Sequence, residues 1–113
     1  MTLRDLGYLE DMRVHARDAL AIANQIGRTA FLDNRPMQHA VIRCLTVVGE
    51  AANRVSEETC RALPDVAWSE AVGLRNVLVH DYHRIDIARI WTIVEEYLPP
   101  LLAALDSYLS PIE

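Results

Sequence analysis

One stretch of the chain reads Arg75-Asn76-Val77-Leu78-Val79-His80-Asp81-Tyr82 and sets polar side chains among apolar ones near the expected end of a helix. Arginine carries a fixed positive charge on a planar fork that suits phosphate. Histidine can accept and donate a proton near neutral pH. Arg75 and His80 are therefore candidates for cleaving a phosphodiester without a metal. The structural alternative is that Arg75 is a surface ion-pairing residue and His80 a hydrogen-bonded core imidazole.

The spacing of Arg75 and His80 constrains how they would act together. Residues five apart in a regular helix are offset by roughly 140° around the axis and about 7.5 Å along it. The two residues therefore do not share a helix face. Both can reach one phosphate only if the helix unwinds between them or a second chain completes the site. The second possibility favours a symmetric dimer with the motif near its two-fold axis.

The segment that carries this stretch is predicted to be the third helix of the chain. It begins near Trp68 or Ser69, after a loop over residues 64–67, and ends within residues 81–84. Gly73 inside it weakens the helix locally and predicts close approach of another helix. The core-facing positions are Leu74, Val77 and Leu78.

Upstream, the first predicted helix spans residues 2–26. Thr2 is the expected N-cap and Gly27 the expected C-terminal stop. Residues 28–35 are then a connection, from which Phe31 and Leu32 reach the core. The predicted apolar stripe of this helix is Leu6, Leu9, Met12, Ala16, Ala19, Leu20, Ala23 and Ile26.

The second predicted helix begins at Asn34 and Pro36 and runs to about Leu63, where Pro64 stops it. Its expected core face is Val41, Cys44, Leu45, Val48, Ala52 and Val55. Its polar face comprises His39, Arg43, Thr46, Glu50, Asn53, Arg54, Glu57 and Arg61. That face is either a solvated, salt-bridged surface or one wall of a polar cleft. In the second case Glu50, bracketed by Arg43 and Arg54, is the expected functional member.

A fourth helix follows the central stretch, with Asp86 as its N-cap. Pro99 and Pro100 should kink or break it, because proline lacks the backbone donor and its ring clashes with the preceding turn. Its expected core residues are Ile87, Ile90, Trp91, Val94 and Leu98. No segment alternates as a strand does. The sequence predicts one all-α domain over residues 1–113, an antiparallel bundle of four to five helices.

Composition narrows the class of protein. The chain has 113 residues, a net charge of −5 and eleven basic residues. All eleven are arginines, so each cation can make a bidentate phosphate contact, although the net charge argues against non-specific nucleic-acid binding. No apolar run approaches the ~20 residues that span a membrane, and a cytoplasmic protein is expected. Cys44 and Cys60, expected on one helix, should be unpaired thiols, and the histidines and cysteines lack zinc-like spacing.

The central stretch also resembles a known family. Arg75, Asn76 and His80 match the motif of the HEPN superfamily, and residues 75–82 resemble the arginine–histidine–tyrosine signature of HepT-like toxins. The similarity continues through the Gly-Glu-Ala segment in residues 48–52 and the approach to the motif in residues 64–74. It extends to Leu98-Pro99-Pro100-Leu101-Leu102. The resemblance follows the order of the chain and covers nearly its whole length.

This resemblance implies a HEPN-like bundle that forms a homodimer or a higher oligomer, with arginine and histidine from both chains lining a cleft. It implies the toxin of a type VII-like HEPN/MNT toxin–antitoxin system, a metal-independent endoribonuclease that acts on RNA without a cofactor. The expected partner is a minimal nucleotidyltransferase (MNT) antitoxin that transfers AMP to Tyr82. Arg75 and His80 would be catalytic. The expected supporting or RNA-binding residues are Asn76, Tyr82, Glu50 and Arg43.

Three possible functions remain open at this point. The chain is either the nuclease or a non-catalytic HEPN partner that offers a helical surface to a nucleotidyltransferase. A further alternative is a helical dimerisation module in which Arg75 and His80 satisfy each other. Asp81 stands where many relatives have glycine; an acid there would favour protonated His80 and repel RNA phosphate.

Overall fold

The computed structural model describes residues 1–80 and 86–111, with the backbone alone for residues 76–80. Six α-helices and one π-helical turn occupy these residues, and no strand occurs among them. The helices are α1 (Leu3–Leu32), α2 (Arg35–Arg54), α3 (Glu57–Ala62), α4 (Trp68–His80), α5 (Ile87–Thr92) and α6 (Leu98–Tyr108). None of the described helices is long and apolar enough to cross a membrane. The predicted all-α fold is confirmed.

Helix α1 starts as its sequence predicts but does not stop at Gly27. The Asp5 backbone N–H donates to Thr2 Oγ1 at 3.0 Å, which confirms the N-cap. Gly27 adopts a φ of 76° and kinks the helix, which then resumes to Leu32. Phe31 in this extra turn is fully buried and lies against Trp91, with ring centroids 5.4 Å apart. The expected loop over residues 28–35 is thus largely helix, since burying Phe31 favours the extra turn.

Helix α2 begins at its predicted cap and ends earlier than predicted. The Met37 backbone N–H donates to Asn34 Oδ1 at 3.1 Å. Val55 is extended, so α2 stops at Arg54 and a separate helix, α3, follows. The prediction of one helix to about Leu63 is wrong. Cys44 and Cys60 consequently lie on different helices; both are free, and burial raises the pKa of each thiol.

The break between α2 and α3 is stabilised by a carboxylate from α1. Asp5, buried on α1, accepts hydrogen bonds from the Ser56 backbone N–H at 3.1 Å, the Ser56 hydroxyl at 2.6 Å and the Thr59 hydroxyl at 2.6 Å. Ser56 is also the N-cap of α3 and accepts from the Thr59 backbone N–H. These contacts connect the start of the chain to α3, so the break depends on tertiary structure.

The core forms where α1, α2, α4 and the C-terminal helices face one another. Every predicted core position of α2 is buried, as is Leu74 on α4. In the first stripe Leu9, Met12, Ala16, Ala19 and Ala23 are buried, whereas Leu6 is exposed and Leu20 and Ile26 are half-buried. Val77 and Leu78 were expected to face the core, but their side chains lie outside the described part.

The C-terminal helices accommodate the two prolines without a break. Asp86 caps α5 by accepting from the backbone N–H groups of Ala88 and Arg89. The helix then widens into a π-helical turn over Ile93–Tyr97, and α6 begins directly before the prolines. The distortion expected at Pro99-Pro100 therefore lies one turn earlier, because the wider turn accommodates rings that clash with a regular helix.

Candidate functional site

Helices α2 and α4 come together at Gly49 and Arg75. A Cβ atom added to Gly49 would lie 2.6 Å from the Arg75 backbone nitrogen and 3.0 Å from its Cβ. No side chain fits in that space, so glycine is required for this helix contact. The sequence predicted close approach at Gly73, and that prediction is wrong: a Cβ there would meet no atom of the described part of the chain within 4 Å. The contact at Gly49 fixes the α4 backbone at the position that carries Arg75.

A small polar cleft opens beside this contact. It is lined by Glu50, Asn53 and Arg54 of α2 and by Arg75 of α4. Glu50 is half-buried, and the other three side chains are exposed. The polar face of α2 therefore forms one wall of a cleft, one of the two possibilities that its sequence left open. Two guanidinium groups and one carboxylate in a single cleft suit an anionic ligand.

Not every predicted supporting residue reaches the cleft. Arg43 is exposed on α2 but does not line it, because seven residues separate Arg43 from Glu50, or roughly 10 Å along a helix. Asn53 and Arg54 do line it, although neither was predicted as a site residue. They lie three and four positions after Glu50, the spacing that places side chains on one helix face. This spacing in the sequence could have identified both as neighbours of Glu50.

The remaining predicted site residues lie partly or wholly outside the described part. His80 is the last residue of α4, and its side chain and that of Asn76 are not described; Tyr82 and Asp81 fall in residues 81–85. The α4 backbone is helical from Trp68 through His80. The Cα atoms of Arg75 and His80 thus keep the roughly 140° offset of a regular helix. Unwinding between the two residues, one of the two routes to a shared phosphate, does not occur.

A protein metal site normally needs several close oxygen, nitrogen or sulfur ligands. The described residues contain no group of three or more histidine, cysteine, aspartate or glutamate side chains that could hold a metal ion. The side chains that line the cleft include only one such residue, Glu50.

Comparison with known proteins places the chain in a family. The sequence pattern of the family described as "Ribonuclease HepT-like" matches residues 12–108. A Methanocaldococcus jannaschii protein named "Putative RNase MJ1380" is 36% identical over 102 residues, covering 89% of this chain and 94% of its own length. "Probable ribonuclease HepT" of Thermococcus cleftensis is 32% identical over 94 residues, covering 83% and 86%. No solved structure matches significantly. The chain belongs to the ribonuclease HepT-like family.

Proposed function

We propose that the protein is a metal-independent endoribonuclease whose active site is completed by two copies of the chain. The observation that carries the proposal is the placement of Arg75, exposed in a polar cleft at a helix contact that needs Gly49. Membership of a ribonuclease family supplies the reaction class. A fixed guanidinium in such a position can hold the non-bridging oxygens of a phosphodiester.

The reaction is attack of an RNA 2′-hydroxyl on the adjacent phosphorus. The new 2′ oxygen–phosphorus bond forms as the bond to the 5′ oxygen breaks, which leaves a 2′,3′-cyclic phosphate and a 5′-hydroxyl. His80 takes the 2′-hydroxyl proton, or in its protonated form gives a proton to the departing 5′ oxygen. Arg75 stabilises the charge that develops on the phosphorane. Asn76 orients the phosphate or the imidazole, and Glu50 is a supporting residue in the cleft that Arg75 also lines.

The proposed assembly is a homodimer, because one chain does not bring both catalytic positions to a single helix face. With α4 regular through His80, Arg75 of one subunit and His80 of the partner subunit would act on the same phosphate. A two-fold axis that passes beside such a site relates it to a second, equivalent site in the dimer.

The biological role that we propose is that of a toxin controlled by a minimal nucleotidyltransferase. This part rests on the resemblance of residues 75–82 to HepT-like toxins. The partner would transfer AMP to Tyr82, two residues after His80 in the sequence, and the added phosphate and adenosine would block the cleft. Intact-mass measurement of the protein purified with and without such a partner tests it: an added AMP that Tyr82→Phe abolishes is expected.

RNA cleavage in EDTA by the purified chain tests the nuclease assignment. Arg75→Ala and His80→Ala should each reduce the rate by about 10²–10⁴-fold, the range for removing an electrostatic or acid–base group. Arg35→Ala is the matched control: Arg35 is an exposed arginine fifteen residues before Glu50 on the same helix, roughly 22 Å away. Wild-type rates in both variants would contradict the assignment.

A second candidate is a non-catalytic partner that binds a nucleotidyltransferase. The net charge of −5 and Asp81 within the motif favour it, since both oppose RNA binding. This candidate predicts no RNA cleavage in EDTA by the isolated wild-type chain, together with a stable complex with the nucleotidyltransferase. Cleavage that is lost in His80→Ala excludes it.

A further inference from the structure

The polar cleft contains a cation that the proposed reaction does not use. Arg54, in the last turn of α2, lines the same cleft as Arg75 and is exposed. Of the described side chains in the cleft, two are positive and one is negative, so the cleft carries a net positive charge. The molecule as a whole carries −5. The cleft is therefore a local positive site on an acidic protein.

The salt bridges between described residues engage other arginines. Arg13 and Arg17 pair with Asp106, Arg13 also pairs with Glu10, and Arg61 pairs with Glu57. None of these bridges includes Arg54, Arg75 or Glu50. Within the described part, the two cleft guanidinium groups thus keep donor capacity for an external anion.

We propose that Arg54 contacts a second RNA phosphate, next to the one held by Arg75. This inference rests on the proposed nuclease function and adds a substrate-binding residue to it. Two arginines on adjacent walls suit a ligand with successive phosphates better than a single small anion, because each guanidinium can bind its own phosphate in bidentate fashion. Asn53, one residue before Arg54 in the same wall, supplies an amide that can hydrogen-bond phosphate or sugar oxygens.

Arg54 also has a structural role, which the test must separate from phosphate binding. A cation in the last turn of a helix interacts favourably with the carbonyl end of the helix dipole. That role predicts a loss of thermal stability in Arg54→Gln without a change in RNA affinity. RNA binding and its salt dependence therefore distinguish the two roles.

The test measures binding of a short mixed-sequence 2′-O-methyl RNA, which lacks the attacking hydroxyl, as a function of salt. Arg54→Gln should weaken binding by roughly 3–10-fold and lower the magnitude of the log–log salt slope by about 0.7, the value for one phosphate contact on a single strand. Arg54→Lys keeps the charge and should retain most of the slope. Arg35→Gln serves as the matched control. Equal affinity and slope in Arg54→Gln and Arg35→Gln would overturn the inference.

A parallel assay separates this inference from the proposed function. Unmodified RNA of the same sequence is incubated with each protein in EDTA. Cleavage by wild type with an unchanged KM in Arg54→Gln overturns the role of Arg54 and leaves the nuclease assignment intact. Absence of both binding and cleavage by wild type overturns both. A KM that rises in Arg54→Gln while kcat changes little supports a binding contact.

Discussion

At the scale of single residues, Arg75 combines a constrained backbone with an exposed side chain. Its backbone nitrogen lies 2.6 Å from the position that a Cβ on Gly49 would take, whereas its side chain is exposed and the residue lines the cleft. An exposed arginine can be truncated without leaving a buried cavity. Loss of activity in Arg75→Ala would therefore report the missing guanidinium, provided that the variant stays folded.

Asp5 is a residue whose protonation should change the stability of the protein. Hydrogen bonds from the Ser56 hydroxyl, the Thr59 hydroxyl and the Ser56 backbone N–H lower the pKa of Asp5 below its ordinary value of 3.8. A carboxyl whose pKa is lower in the folded state stabilises the protein above its unfolded pKa, and this contribution is lost as pH falls through the folded pKa.

Asp5→Asn should therefore lower the Tm at pH 7, and this deficit should shrink below about pH 3.8 as the wild-type carboxyl becomes protonated. This difference in Tm is measured by thermal melts at pH 7 and at the lowest pH where the protein stays folded. Asp11→Asn, at an exposed position on the same helix, is the control. A deficit of equal size at both pH values would show that the charge of Asp5 contributes nothing.

At the scale of helices, the contact between α2 and α4 depends on one glycine. Gly49→Ala would place a methyl group 2.6 Å from the Arg75 backbone nitrogen, so α4 must shift. Such overpacking typically costs about 1–3 kcal/mol. We also expect a slower RNA cleavage rate among folded molecules, because the shift moves Arg75 away from the α2 wall.

Gly73→Ala is the matched control, since among the residues that the structure describes a Cβ at Gly73 would meet no atom within 4 Å. Replacing glycine inside a helix by alanine there should be neutral or stabilising, by up to about 1 kcal/mol. Denaturant unfolding and cleavage rates of the two variants test the contact. Equal stability of Gly49→Ala and Gly73→Ala would contradict the role given to Gly49.

The helix caps at Thr2, Asn34 and Asp86 were predictable from sequence because each is a local interaction with a backbone N–H two or three residues ahead. The break before Ser56 was not, since Asp5 stabilises it from 51 residues away. A glycine in the sequence indicates a weak point in a helix, but it does not show which glycine contacts a neighbouring helix. Gly73 was therefore predicted in place of Gly49.

The residues of the candidate site were likewise only partly predictable from the sequence. Glu50 could be singled out from the polar face of α2, and in the structure it lines the same cleft as Arg75. Angular position around a helix does not specify where along the axis another helix crosses. Arg43 was for this reason included in the predicted site, while Asn53 and Arg54 were not.

At the scale of the whole molecule, a buried arginine connects the two ends of the chain. Arg13 on α1 is 2% exposed and pairs with Glu10 at 2.7 Å and with Asp106 of α6 at 3.4 Å. Because removing a partner from a buried charge is destabilising, this network holds α6 against α1. The Gly49–Arg75 contact lies between α2 and α4, so these ion pairs stabilise the bundle without contributing side chains to the cleft.

In the proposed homodimer, Arg75 of one subunit and His80 of the other form one active site. If so, mixing Arg75→Ala and His80→Ala proteins creates heterodimers in which one of the two sites has both residues intact. Random exchange makes half of the dimers heterodimers, so we expect recovery of about a quarter of wild-type activity from two inactive proteins. The measurement is RNA cleavage in EDTA after unfolding and refolding the two variants together, with each refolded alone as the control. A mixture no more active than its components would contradict a site shared between subunits.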